Sequence, residues 1–213
     1  MPDDCFGAGW DDTIAEFQRV GQVAVRQNLV IASGGNFSAR DARTGHILVT
    51  RSGAFLDSIS ATDVSLLSSA GEHLAGPAPS SEWRLHHEVY RQRPDALVVL
   101  HLHPEASVTV DALGHRVRQL TLDHVAYVPR IERIPFYPNG SEELALHAAT
   151  AMQECDCVIL GHHGCSVLST TVADAFRKAQ NLEQAARMTM SLLTVGDTTT
   201  EFPAELRSTA VHR

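Results

Sequence analysis

The sequence predicts an α/β or α+β protein built on one central mixed, partly antiparallel β-sheet with helices around it. Amphipathic helical stretches alternate with short apolar runs, hairpin-like strand pairs stand among them, and no internal repeat or low-complexity tract divides the chain. The 213 residues are 44% hydrophobic and 20% charged, which excludes wholesale disorder. A chain of this length buries roughly 70% of its unfolded surface, enough for a core without disulfide or metal staples. One domain spanning residues 1–213 is expected, with a core over 12–196 and a C-terminal tail at 197–213.

Over residues 12–29, Ile14, Phe17, Val20, Val23 and Ala24 share one helical face, with Asp11 or Asp12 as the cap. Gly34-Gly35 breaks the chain, and residues 36–40 and 46–50 then alternate like the strands of a hairpin. Residues 68–72 and 76–79 read as a short surface excursion. A helix is expected from Ser80 or Ser81 to Arg91, stopped by Pro94. The apolar, β-branched run 96–103 suits a buried strand, and Pro104 suits the first turn of a helix reaching Leu113. Residues 125–136 read as strand interrupted by prolines, and 141–154 as helix capped by Ser141. A short buried strand at 157–160 precedes the tight His162-His163-Gly164. The last long helix covers 171–194 and is closed by Gly196.

The formal net charge is −8, with no basic stripe, which excludes nucleic acid as a partner. No run approaches the roughly 18 apolar residues of a membrane span. The acidic start Met1-Pro2-Asp3-Asp4 is unlike a secretory signal, so a soluble cytoplasmic protein is expected. Of the four cysteines, Cys155 and Cys157 stand too close for a CxxC redox or zinc-ribbon pattern. With Cys5 and Cys165 they read as small, reduced thiols.

Histidine is the stronger lead, with 12 residues concentrated between His86 and His163. On a strand, His101 and His103 project to one side and can grip one cation. His162-His163-Gly164, after the other short apolar strand, offers a third imidazole. Three histidines with an open position are the ligand set of a catalytic zinc site. Other histidine-pair folds fit poorly: HxHxD needs aspartate where Glu105 stands, a cupin needs glutamate where Ser107, Val108 and Thr109 stand, and HExxH is absent. Upstream lie three small-residue stretches, residues 34–38, 50–53 and 80–82. Each alone is compatible with a turn or a cap, yet backbone nests and helix N-termini also bind anions.

Taken together, Ser80-Ser81-Glu82-Trp83-Arg84, Arg93-Pro94-Asp95-Ala96, His101-Leu102-His103 and His162-His163-Gly164 resemble the class II aldolase/adducin family. The resemblance is closest to its members acting on L-fuculose 1-phosphate, and it covers residues 16–193. Gly35-Asn36-x-Ser38 and Ser52-Gly53 fall where that family keeps its phosphate loops. The resemblance implies a central, mainly antiparallel sheet flanked by helices, and a homotetramer with active sites at subunit interfaces. It also implies one divalent ion per subunit, Zn2+ with Mn2+ as the alternative. His101, His103 and His163 would be its ligands, with His162 a neighbour. Glu82 would be the catalytic acid/base, able to ligate the ion when substrate is absent. Gly35, Asn36, Ser52, Gly53, Ser80 and Ser81 would hold the substrate phosphate. Where the family has a proton-donating tyrosine from the neighbouring subunit, this chain has Leu122, with Asp123, His124 and Tyr127 nearby as candidates. The tail after Gly196, including His212, has no counterpart in the resemblance.

The function so implied is metal-dependent aldehyde-lyase chemistry. A ketose 1-phosphate, L-fuculose 1-phosphate or a related deoxypentulose phosphate, would be cleaved through an enediolate to dihydroxyacetone phosphate and a small aldehyde. Pentulose-phosphate 4-epimerisation, dehydration or decarboxylation on the same scaffold is the alternative. A non-catalytic, adducin-like interaction domain would have no need of the three histidines and the glutamate.

Overall fold

In a computed structural model, which describes residues 9–210, helix α1 (Asp11–Arg26) buries Ile14, Phe17, Val20, Gly21 and Ala24. Cys5, the acidic start and His212 lie outside the described residues. Trp10 occupies the N-cap without a side-chain cap bond, so neither aspartate caps the helix. Asp11 and Asp12 instead sit in its first turn, where negative charge favours the helix dipole. Strands β1 (Asn36–Arg40) and β2 (Ile47–Thr50) form the expected antiparallel hairpin. Strands β3 (Val64–Leu67) and β4 (His73–Ala75) then extend the sheet across a stretch whose turns alone were legible.

Helix α2 (Trp83–Gln92) begins later than Ser80 or Ser81. The Ser80 hydroxyl accepts from the Glu82 N–H in the turn before the helix, which leaves Glu82 at the N-cap. Strand β5 (Val98–Leu102) is buried throughout, and helix α3 (Glu105–Ala112) follows, with Pro104 at its N-cap rather than within its first turn. Residues 125–136 are not one strand. Their first part belongs to helix α4 (Leu122–Tyr127), where the Thr121 hydroxyl accepts from the His124 N–H and the helix packs on α6. Only β6 (Ile131–Ile134) is extended. Helix α5 (Glu142–Ala151), capped by Ser141, strand β7 (Cys157–Leu160) and helix α6 (Val172–Thr194), capped by Thr171, agree with expectation. Strand β8 (Gly164–Ser169) has little β-branched signal and is fixed by its place between β5 and β7.

The sheet order is β4-β3-β2-β1-β5-β8-β7-β6, antiparallel except for the parallel pair β6 and β7. Alternate strand residues face two cores. Phe37, Leu100, Leu102, Ile159 and Val167 pack with α1, α3 and α6. Val49, Val99, Val158 and Leu168 pack with α2 and α5. Burial on both faces explains why the central strands read as continuous apolar runs. Cys155, Cys157 and Cys165 are buried free thiols, as the spacing predicts. No helix among the described residues is long and apolar enough to cross a membrane.

One buried carboxylate ties α6 to the segment after His103. Glu183 accepts from the N–H groups of Ala106 and Ser107, each at 2.9 Å, and from the Ser107 hydroxyl. It thus satisfies the N-terminal donors of α3 from another helix. Glu183→Ala leaves two buried N–H groups without acceptors and is expected to cost about 2–4 kcal/mol in denaturant unfolding. A loss under about 0.5 kcal/mol, the range of an ordinary surface substitution, would contradict that role.

Candidate metal centre

The face of the sheet toward α2 and α5 is polar at the end where β1 begins and β5 finishes. Asn36 of β1 stands opposite His101 of β5, and Ser166 of β8 stands on the other side of His101. His103 follows β5 directly, and His163 enters from the turn between β7 and β8. The His101 and His103 Nε2 atoms are 2.8 Å apart. Glu82, at the start of α2, closes the group, with Oε2 3.1 Å from His101 Nε2 and Oε1 3.4 Å from His163 Nε2. One ligand atom from each of these four residues lies within 4.8 Å of all the others.

Two backbone features make the convergence possible. Gly35 has φ of +76°, and a Cβ there would lie 2.7 Å from the His101 carbonyl, so only glycine lets β1 pass so close to the end of β5. His162 has φ of +55°, a left-handed conformation that costs a non-glycine residue roughly 1–2 kcal/mol. Its N–H donates to the Asp111 carboxylate at 3.3 Å. The turn carries His163, and not His162, into the group.

The donor set suits a divalent cation. His101 Nδ1 lies 3.0 Å from the Cys165 carbonyl, which requires a proton on Nδ1 and leaves the Nε2 lone pair for the centre. Burial pushes His101 well below the ordinary imidazole range, and burial with neighbouring His163 brings His103 to about 4. Both are therefore neutral at physiological pH, the form that binds metal. Burial pushes the Glu82 carboxyl up, partly opposed by His163 and by the Asn36 amide. Glu82 is 3% exposed, and its Oε1 is buried without a hydrogen-bond partner. A buried carboxylate grouped with three imidazoles, one of its oxygens left without a partner, is what a bound cation would satisfy.

The small-residue stretches converge beside this group. Ser80 N–H donates to the Thr50 carbonyl and Ser52 N–H to the Ala78 carbonyl, each at 3.0 Å. Residues 50–53 therefore lie against 78–81, with Ser80 buried and Ser52, Gly53 and Ser81 exposed. The Phe37 N–H reaches the Thr50 hydroxyl at 3.1 Å, which brings Gly35 and Asn36 to the same edge. Gly140 also closes on Ser81, since a Cβ on it would stand 2.7 Å from the Ser81 carbonyl. The sequence reading did not include this loop.

The three proton-donor candidates lie elsewhere, on α4 against α6. His124 is buried, its Nε2 3.2 Å from the Gln184 side-chain oxygen, and Tyr127 lies under the Arg177 guanidinium. None of Asp123, His124 and Tyr127 belongs to the four-residue group. Ser38, read only as part of a phosphate-loop piece, forms with His86 and Tyr90 a buried polar row behind Glu82 to which the sequence reading gave no role. The signal was present, because Glu82, His86 and Tyr90 are spaced by four and share one helical face.

A family described as Class II Aldolase and Adducin N-terminal domain matches residues 15–190. A Methanocaldococcus jannaschii protein named L-fuculose phosphate aldolase is 28% identical over 180 residues, covering 84% of this chain and 97% of that one. A Rhodospirillum rubrum protein named 5-methylthioribulose-1-phosphate/5-deoxyribulose-1-phosphate aldolase is 31% identical over 166 residues, covering 78% of this chain and 74% of that one. A solved structure titled L-fuculose 1-phosphate aldolase superposes with a TM-score of 0.85 at 24% identity, covering 93% and 94% of the two chains.

Proposed function

The chain belongs to the class II aldolase and adducin N-terminal domain family and is a metal-dependent lyase of that kind, and on that premise we propose that it cleaves a ketose 1-phosphate to dihydroxyacetone phosphate and a small aldehyde. L-fuculose 1-phosphate and 5-deoxypentulose phosphates are the proposed substrates, in keeping with the names of the two relatives. The observation that carries the reading is the Glu82 carboxylate grouped with three imidazoles, its buried Oε1 without a hydrogen-bond partner.

His101, His103 and His163 would hold the ion, proposed to be zinc. When bound, it supplies Lewis-acid polarisation of the substrate carbonyl, worth several kcal/mol to a developing enediolate. Glu82 takes the proton from the substrate carbon and returns it, a role worth roughly 10²–10⁴-fold. Gly35, Asn36, Ser52, Gly53, Ser80 and Ser81 would grip the phosphate so that the reacting carbon faces Glu82. A homotetramer in the cytoplasm, with Asp123 or Tyr127 of a neighbouring subunit as proton donor, completes the proposal. His124 fits that role less well, because its ring is held between Leu120 and Gln184.

The test is proton exchange of dihydroxyacetone phosphate in D2O, followed by NMR. The metal-loaded protein is expected to wash out one hydroxymethylene proton, and chelation to stop the loss. Failure of metal-replete protein to exchange would overturn the aldolase reading and direct attention to epimerase, dehydratase or decarboxylase chemistry.

A further inference from the structure

Behind Glu82 runs a buried chain of hydrogen bonds whose direction is dictated from one end. A carboxylate only accepts, so the Asn36 amide must turn its NH2 toward Glu82 Oε2, at 2.9 Å. Its carbonyl oxygen, also an acceptor only, then faces His86 Nε2 at 2.5 Å, which must carry the imidazole proton. His86 is fully buried, and burial holds it neutral, with its pKa brought down to about 3. A neutral ring protonated at Nε2 has a bare Nδ1, so the Ser38 hydroxyl 2.6 Å away must donate to it. The Ser38 oxygen in turn accepts from the Tyr90 hydroxyl at 2.7 Å. Every donation from Tyr90 onward points toward Glu82.

We propose that His86 is a positioning residue: acting through Asn36, it anchors Glu82 Oε2 and leaves Oε1 as the oxygen that exchanges a proton with substrate. This rests on the lyase reading above. In that step the C–H bond of the substrate breaks and the O–H bond forms at Oε1, while the electron pair stays on carbon as the enediolate. Oε2 already accepts from Asn36 and is the less basic of the two oxygens, so the proton goes to Oε1. Without His86, the buried Asn36 carbonyl oxygen loses its donor, so the amide keeps its sense toward Glu82 but is no longer held in place. The carboxylate it anchors then shifts out of register.

The first test needs no turnover. Selective 15N-histidine labelling with long-range 1H–15N correlation reads the tautomer of each ring, and loss of one set of signals in His86→Gln assigns His86. The expected pattern is a neutral ring protonated at Nε2. A ring protonated at Nδ1, or a doubly protonated ring, overturns the chain. The second test uses the dihydroxyacetone phosphate exchange assay with elemental analysis. His86→Leu is expected to lose on the order of 10- to 100-fold in exchange rate at saturation, with metal content and KM little changed. His86→Gln, whose amide can still donate to Asn36, should recover most of it. Equal activity in His86→Leu and wild type, or a glutamine variant no better than leucine, removes the positioning role. Should the leucine variant fail to fold, Ser38→Ala and Tyr90→Phe weaken the same chain and are expected to lose rate in smaller steps. Full activity in both counts against the proposal. If wild-type protein shows no exchange, the lyase reading fails, while the tautomer result stands on its own.

Discussion

Glu82→Gln is expected to reduce the exchange of dihydroxyacetone phosphate by 10²–10⁴-fold or more, while the protein stays folded and retains its metal. Glutamine keeps the shape of the carboxylate and one oxygen. That oxygen is drawn to the Asn36 amide, which donates to Oε2 in the native chain. The new NH2 group then takes the place of Oε1, opposite His163. An amide nitrogen there can neither accept a proton nor offer a lone pair to a cation. The base is removed, but three imidazoles remain, and three protein ligands suffice for a catalytic zinc site. Activity and elemental analysis on one preparation read both halves of the outcome. Near-normal exchange would dismiss Glu82 as the base. Loss of metal with loss of activity would make it chiefly a ligand.

The same residues show how much of the site was legible in the chain and where legibility stopped. His101 and His103 are two apart on an apolar run, so the strand period alone puts them together. His163 could be chosen over His162 only by resemblance, because the choice depends on the left-handed backbone at His162. Glu82 stood out by its serine neighbours, yet the helix begins after it and not at Ser80, since the serine hydroxyl is spent in the preceding turn. The elements that escaped reading were those defined by neighbours. Strand β8 is Gly-Cys-Ser-Val-Leu-Ser and becomes a strand because β5 and β7 leave no other hydrogen-bonded path between them. Helix α4 carries a valine and a tyrosine that suit a strand, and a threonine cap with packing on α6 overrides that preference. Local pattern reports periodicity, whereas register, caps and close approaches are properties of the assembled sheet.

His103→Ala is expected to empty the centre without unfolding the chain, and it is a cleaner probe than His101→Ala. His101 is wholly buried and bonded to the Cys165 carbonyl, so its removal would leave a cavity and an unpaired acceptor as well as an incomplete ligand set. His103 stands just past the end of β5 and is only partly buried. Its structural tie is its N–H bond to the Leu29 carbonyl, which alanine keeps. Elemental analysis should therefore fall from one ion per chain to almost none, and unchanged stoichiometry would remove His103 from the ligand set. Thermal unfolding gives an independent reading through linkage. An ion that binds only the native state stabilises it by about 2.7 kcal/mol at 100 times its dissociation constant. For a chain of this size that corresponds to roughly 5–10 °C in Tm. Wild-type protein should show this rise on adding zinc to chelated samples. The variant should not, and its Tm should match that of chelated wild type, because the fold is held by the two cores on either side of the sheet and not by the ion.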